Sequence, residues 1–176
     1  SNTNIKRFVK KNVLNLPVLA EMIQGIKVVS PDVVMLGHKD FIQSIVLKNI
    51  IKSLQLPIKV IIVPTLRKPN KLAFSSRHRF LTDVSGEQAS CIYKTLLEIS
   101  EWGNYPSPRE IKKYILKQVK KSGGDVGFIF ICCTKTLKEL DVLDREFVIS
   151  VAGSFNAVEE HTSRVSVVDN IIIKPN

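Results

Sequence analysis

The chain is poor in aromatic residues: Phe, Tyr and Trp make up 7% of its 176 residues, with a single Trp. Proteins that hold single-stranded nucleic acid stack bases on aromatic faces beside basic side chains, and these few aromatics offer no such platform. Apolar runs are short. None approaches the roughly 18–20 residues that a membrane-crossing helix needs. Cysteine is scarce as well. Cys91, Cys132 and Cys133 are an odd number, and two of them are adjacent, which argues against a disulfide framework. No Cys/His spacing suits zinc. The three thiols are expected to be small buried hydrophobes in a reduced, cytoplasmic protein. There is no internal repeat and no low-complexity tract. The chain starts Ser1-Asn2-Thr3-Asn4, without Met and without an apolar secretory core, so a piece of a longer protein is expected.

What is present is an ordinary globular composition, 44% hydrophobic and 24% charged. A net charge of +10 points to an anionic partner: nucleotide, phosphate, nucleic acid or membrane surface. Lys6, Arg7, Lys10 and Lys11 form a basic arm. Arg109, Lys112, Lys113, Lys117, Lys120 and Lys121 crowd one helix, where the plain explanation is a solvated face.

Periodicity divides the chain. Asn15–Val29 reads as a helix, with Asn15 as N-cap, Pro17 in the first turn, and Leu19, Met22, Ile23 and Ile26 at helical spacing. Val33–Leu36 is a short apolar run of the kind buried on both faces of a parallel sheet. Lys39–Leu54 reads as a helix with Ile42, Ile45, Val46, Asn49 and Ile50 on its inner side, and Ile58–Val63 as a second apolar strand. The result is a β–α–β unit, in which ligands bind at the carboxyl ends of the strands. Pro64–Asn70, with two prolines, reads as a hinge. Beyond it the pattern predicts one helix over Gly86–Trp102 and another opened by the capping box Ser107-Pro108-Arg109-Glu110 and ended by Gly123-Gly124. Strands are expected at Gly127–Cys133, Phe147–Ala152 and Val165–Ile173, a short helix at Thr136–Leu143, and a polar connection over Phe155–Thr162. The fold class is therefore α/β: the C-terminal part of a doubly wound, Rossmann-like parallel sheet over residues 1–66, followed by a small α+β domain over 67–176 with an antiparallel sheet.

Two polar clusters stand out. Gly37-His38-Lys39-Asp40-Phe41-Ile42-Gln43 lies at a strand-to-helix junction, and Ala73-Phe74-Ser75-Ser76-Arg77-His78-Arg79 lies in a loop. Hydroxyls, fixed positive charge and backbone N–H groups are what holding a polyphosphate requires. Each cluster also has a plain explanation: Ser75–Arg77 as a capped turn whose hydroxyls bond the backbone, and Lys39-Asp40 as a charged first helical turn. Gln43 fits a solvated helix position equally well. His38, His78 and His161 lack a second titrating partner in sequence.

These clusters carry a resemblance to the pantothenate synthetase (pantoate–β-alanine ligase) family. Pro31-Asp32 with Gly37-His38-Lys39-Asp40-Phe41-Ile42-Gln43 is similar to the family's P-D-x-x-x-F-G-x-K-D-x-Q-Q block. Val63-Pro64-Thr65-Leu66-Arg67 is similar to its V-P-T-x-R segment, and Leu72-Ala73-Phe74-Ser75-Ser76-Arg77 to its L-A-x-S-S-R. Val148–Ala152 and Val168-Asp169-Asn170 echo its final strands. The resemblance implies an ATP-dependent ligase of the nucleotidyltransferase superfamily, acting in pantothenate and coenzyme A biosynthesis. Pantoate attacks the α-phosphate of ATP in the presence of Mg2+, pyrophosphate leaves, and β-alanine attacks the pantoyl adenylate to give pantothenate and AMP. It also implies roles. Lys39 and Arg77 would be catalytic, stabilising charge on the phosphates. Gly37, His38, Lys39, Asp40, Leu66, Phe74, Ser75, Ser76 and Arg77 would bind ATP, and Gln43 would hydrogen-bond pantoate, with no residue ligating a metal. The lysine and the serine–arginine loop would converge on one triphosphate at the domain boundary. A homodimer is expected, without membrane or nucleic acid.

The sequence also departs from the family. There is no H-x-G-H segment. Val13-Leu14-Asn15-Leu16-Pro17 stands where the family has R-P-x-H-F-x-G. His38 replaces an acidic residue, Ile42 a Gln, His78 an Asn, and Asn70-Lys71 an Asp-Gly pair. The chain therefore looks like the C-terminal half of a divergent ligase, inactive without the other half. A non-catalytic basic module for anions or nucleic acid, or an inactive paralogue, remains the alternative.

Overall fold

The computed structural model describes residues 14–158 and 164–175. The basic arm Lys6–Lys11 and His161 lie outside these. The chain divides into two compact units between Thr65 and Leu66.

The first unit holds helix α1 (Leu16–Val29), strand β1 (Val33–Gly37), a single 3-10 turn (His38–Asp40), helix α2 (Phe41–Ser53) and strand β2 (Lys59–Val63). The Asn15 side chain accepts a bond from the Val18 N–H and Pro17 sits in the first turn, as N-terminal helix chemistry requires. Ser30 ends α1 in the left-handed region (φ 49°), its N–H returning to the Ile26 carbonyl. Strands β1 and β2 pair in parallel, Val33 opposite Lys59 through Gly37 opposite Val63. Helix α2 buries Phe41, Ile42, Val46, Leu47 and Ile51. Leu47 is completely enclosed, whereas Asn49, expected on the inner side, is exposed. A carboxamide is more costly to bury than the leucine that takes the inward position. Strand β1 also differs from expectation. Leu36 is buried but Met35 is 70% exposed and Val33 41%, so the described residues leave the Met35 side of β1 largely uncovered.

The second unit is α+β. Helices α3 (Asp83–Ala89), α4 (Cys91–Ser100) and α5 (Pro108–Lys121) precede strands β3 (Asp125–Cys133), β4 (Phe147–Asn156) and β5 (Arg164–Ile173). The strands form an antiparallel sheet in the order β3-β4-β5. Ile92, Leu96, Ile99, Ile111, Ile115 and Val119 of the helices pack with Phe147, Ile149, Val151 and Phe155 of the central strand. Each such side chain contributes roughly 1.5–3 kcal/mol by leaving water. Helix α5 opens on the capping box read from sequence: Ser107 Oγ accepts the Glu110 N–H, and the Glu110 carboxylate accepts the Ser107 N–H at 3.0 Å. It ends with the Gly124 N–H on the Val119 carbonyl and the Gly123 N–H on the Lys120 carbonyl. Gly123 lies at φ 81°, the left-handed stop that glycine supplies.

Four further expectations are corrected. The single helix Gly86–Trp102 is two helices meeting at Ser90. The Ser90 N–H bonds the Glu87 carbonyl and its hydroxyl bonds the same oxygen at 2.7 Å, tightening the turn there. Thr136–Leu143 is not helical: Leu137 sits at φ 54° and Glu139 pairs back with Cys132. Phe155 is no part of a polar connection, since it lies in β4, fully buried. The cysteines divide, with Cys132 buried and Cys91 and Cys133 only partly so.

Candidate functional site

The first polar cluster surrounds a cleft of about 260 Å3 at the carboxyl end of β1. Met22, Met35, Leu36 and Leu47 supply apolar walls, and Gly37, Asp40, Gln43 and Ser44 supply polar ones. Ser44 Oγ donates to the Gly37 carbonyl at 3.2 Å, fixing the strand end to the first turn of α2. The Gln43 side-chain amide approaches the Met22 sulfur at 3.6 Å. Gly37 has φ −72°, a conformation open to any residue, and a Cβ there would meet nothing within 4 Å. Its missing side chain therefore leaves room above the cleft and is not demanded by packing. Lys39 is a mostly buried side chain, 17% exposed, with Nζ 3.5 Å from Asp40 Oδ1, and the carboxylate is 54% exposed. The ring of His38 lies 5.3 Å from that of Phe41.

The second cluster belongs to the second unit. Leu66–Phe74 is a small hairpin: Arg67 bridges to Ala73, the Lys68 N–H bonds the Leu72 carbonyl, and the Phe74 N–H bonds the Leu66 carbonyl at 2.9 Å. The boundary between the two units falls within the Pro64–Asn70 stretch expected as a hinge, and from Leu66 onward its backbone is ordered in this hairpin. The side chains of Leu66 and Phe74 are 78% and 58% exposed. Ser75 caps a 3-10 turn over Ser76–Phe80, its Oγ accepting the Arg77 N–H at 3.4 Å, as the plain explanation for that hydroxyl expects. Ser76, Arg77 and Arg79 are not buried. His78 turns inward, and its Nδ1 lies 2.9 Å from the Ala73 carbonyl. Beyond the turn, Leu81 bridges to Ala157, and the Val158 N–H bonds the Phe80 carbonyl.

Sequence reasoning gave no role to the group that anchors this hairpin. Arg67 donates to both oxygens of Asp169 on β5, at 2.6 and 2.8 Å, and to the Lys71 carbonyl at 3.1 Å. Its guanidinium lies 3.1 Å from the centre of the Tyr93 ring on α4. Burial opposes the guanidinium charge, but the bonds to Asp169 outweigh it and leave the pKa raised. Asp169 is 3% exposed. In sequence the two residues appear only within separate family-like segments, Val63–Arg67 and Val168–Asn170, with nothing that joins them.

Among the described residues no group of three or more His, Cys, Asp or Glu side chains could hold a metal ion, and no helix is long and apolar enough to cross a membrane.

A parallel β–α–β unit with a cleft at the carboxyl end of β1, in a chain that continues into an antiparallel α+β unit, is an α/β architecture of the kind in which such strand ends are exposed for binding. The profile of the family described as pantoate-beta-alanine ligase matches residues 17–172, and the chain belongs to that family. The pantothenate synthetase of Shewanella piezotolerans is 32% identical over 148 residues, covering 84% of this chain and 50% of the relative. That of Sulfurihydrogenibium is 34% identical over 130 residues, covering 71% and 46%. The chain thus spans about half the length of the curated relatives it matches. Among solved structures, the pantothenate synthetase of Thermus thermophilus superposes with a TM-score of 0.76 at 25% identity, covering 88% of this chain and 54% of that one. A ligase from Francisella tularensis, complexed with β,γ-ATP and β-alanine, has the same fold at a TM-score of 0.60 and 22% identity.

Proposed function

We propose that this chain is the C-terminal part of a pantoate–β-alanine ligase, using ATP to join pantoate and β-alanine through a pantoyl adenylate. The observation that carries the proposal is the cleft beside Gly37 in a chain that matches the family over residues 17–172. Its apolar walls and the Gln43 amide suit a small branched hydroxy acid such as pantoate, with Gln43 as hydrogen-bond donor. Lys39 contributes a compact positive charge, and Arg77 a forked one, to the phosphates of ATP. The Ser76 hydroxyl and the Ser75 and Ser76 N–H groups add donors, the Arg77 N–H being taken by Ser75 Oγ. Gly37, His38, Asp40, Leu66 and Phe74 complete the proposed ATP contacts. When pyrophosphate leaves, negative charge develops on it, and each preorganised donor there lowers the barrier by roughly 3–4 kcal/mol. Mg2+ would arrive on the triphosphate, a common way for that ion to bind, and the proposal assigns no residue of this chain to it. A homodimer in the cytoplasm is part of the proposal.

The chain alone is expected to bind but not to turn over. Calorimetry of the purified 176-residue chain should detect ATP with Mg2+, weakened about tenfold or more by Arg77→Ala, and pantoate, weakened by Gln43→Ala. Affinity equal for nucleotide and unrelated polyanion, with a steep salt dependence, would overturn the ligase assignment. Pantothenate formation by this chain alone would overturn its inactivity.

A further inference from the structure

The chain between Leu66 and Leu81 is held at both ends and stapled in the middle. Downstream, Leu81 bridges to Ala157 and the Phe80 carbonyl accepts the Val158 N–H. In the middle, His78 reaches the Ala73 carbonyl across the turn. Upstream, the anchor is electrostatic: Arg67 grips Asp169 with two parallel bonds at 2.6 and 2.8 Å, caps the Lys71 carbonyl and stacks on Tyr93. The pair joins residues 102 positions apart in sequence. Lys71 sits at φ 77°, a strained conformation for a lysine, and its carbonyl takes the third bond from Arg67. The bridge from Arg67 to Ala73 then carries the anchor to within two residues of Ser75.

We propose that Arg67, Asp169 and Tyr93 are positioning residues for the phosphate-binding turn: together they fix the hairpin on β5 and so set where Ser75, Ser76 and Arg77 present their donors. This rests on the assignment of that turn to the triphosphate. None of the three needs to touch the ligand. A forked, buried carboxylate pair is directional in a way that an apolar contact is not. Removing one partner leaves the other charge buried and uncompensated, so the hairpin opens locally.

The test uses the whole chain with Asp169→Asn, Arg67→Lys and Tyr93→Leu, the last keeping the ion pair so that one variant folds if charge loss proves too severe. Two measurements of opening are made well below the melting temperature. Trypsin nicking after Arg77 and Arg79 reports opening of the turn, because cleavage follows the open population. Hydrogen exchange at Ile149 in the central strand reports global opening. Calorimetry reports affinity for ATP with Mg2+. The expected result is nicking about tenfold faster or more in Asp169→Asn and Arg67→Lys, and less so in Tyr93→Leu, with exchange at Ile149 unchanged and ATP affinity reduced in the same order. A merely structural pair would lower the melting temperature while leaving both the nicking pattern and the affinity of the folded protein intact. Unchanged nicking in folded variants, or nicking that rises in step with exchange at Ile149, overturns the proposal. If the unaltered chain binds no ATP, the assignment of the turn to the triphosphate fails, while the nicking comparison still decides whether the clamp positions the turn.

Discussion

Replacing Gly124 by Ala tests how tightly the second unit is packed. Gly124 follows the left-handed stop of α5 and lies against the core. A Cβ built there would sit 2.5 and 2.7 Å from two ring carbons of Phe155 and 3.0 Å from a Val119 methyl. Carbon atoms in contact prefer about 3.5–4.0 Å, so something must move by roughly 1 Å. Phe155 cannot easily yield, being fully enclosed in β4 among Ile92, Val119 and Val151. Two effects oppose each other. Alanine restricts the unfolded chain and stabilises by about 0.4–1 kcal/mol. Overpacking a close-fitted core costs about 1–3 kcal/mol. Contacts this short with an enclosed ring place the cost in the upper half of its range, so the clash wins, for a net loss of about 1–2.6 kcal/mol, or roughly 2–10 °C in Tm for a chain of this size. Urea unfolding followed by circular dichroism measures it, with the midpoint moving and the slope constant. The reasoning makes a second demand: in a Phe155→Leu background, which vacates the ring position, Gly124→Ala should come within about 0.5 kcal/mol of neutral. A neutral or stabilising Gly124→Ala, or strict additivity with Phe155→Leu, would show that the ring is not the obstacle.

Three further outcomes follow from particular side chains. Gly37→Ala should raise the urea midpoint slightly, by about 0.4–1 kcal/mol of stability, because Gly37 has an ordinary φ of −72° and nothing lies within 4 Å of the added methyl, yet weaken ATP binding; a destabilised variant would mean the glycine serves folding instead. The thiols should alkylate in the order Cys133, Cys91, Cys132, read by mass spectrometry after timed iodoacetamide. Burial works against the Cys133 thiolate, but bonds from the Thr136 hydroxyl and the Thr136 and Lys135 N–H groups outweigh it and bring the pKa below the ordinary 9.0. Burial raises that of Cys91, and Cys132 is enclosed; thiolate fraction and access set the rate. Finally, the carboxylates of Glu110, held down by the Ser107 hydroxyl and N–H, and of Glu146, held down by the Thr134 hydroxyl and Lys174, lie below their ordinary 4.5. A depressed carboxylate stabilises fully above its unfolded pKa and loses that contribution as pH falls through the folded one. Stability should therefore decline as pH drops below about 4.5, and Ser107→Ala should shallow that decline. An unchanged acid limb would sink the capping-box account.

Much of the fold was legible because its signals are local. The capping box at Ser107 and Glu110 and the Gly123-Gly124 stop bracket α5 without reference to anything distant, and the family motifs at Gly37–Gln43 and Ser75–Arg77 lie within single loops. What escaped notice depends on distance or on context. Arg67 and Asp169 are far apart in sequence, and neither residue alone signals a pair. Thr136–Leu143 has apolar residues at helical spacing, but so short a stretch holds too few turns to separate a helix from an irregular loop, and Leu137 adopts a left-handed conformation that its residue type does not announce. The break at Ser90 depends on a serine bonding its own helix, an option that serine carries at many helical positions without using it. The even burial expected for β1 assumed a sheet covered on both sides, and periodicity cannot report what covers a strand.

That uncovered side turns Met35 into a built-in gauge. A thioether 70% open to solvent is readily converted to the sulfoxide by dilute peroxide, whereas Met22, partly enclosed beside Gln43, serves as the internal standard. The ratio of the two oxidation rates, read as the mass of one added oxygen on separate peptides with the cleft that both methionines line kept free of ligand, then reports whether a second copy or any other polypeptide has settled over Met35, without an antibody, a label or an activity assay.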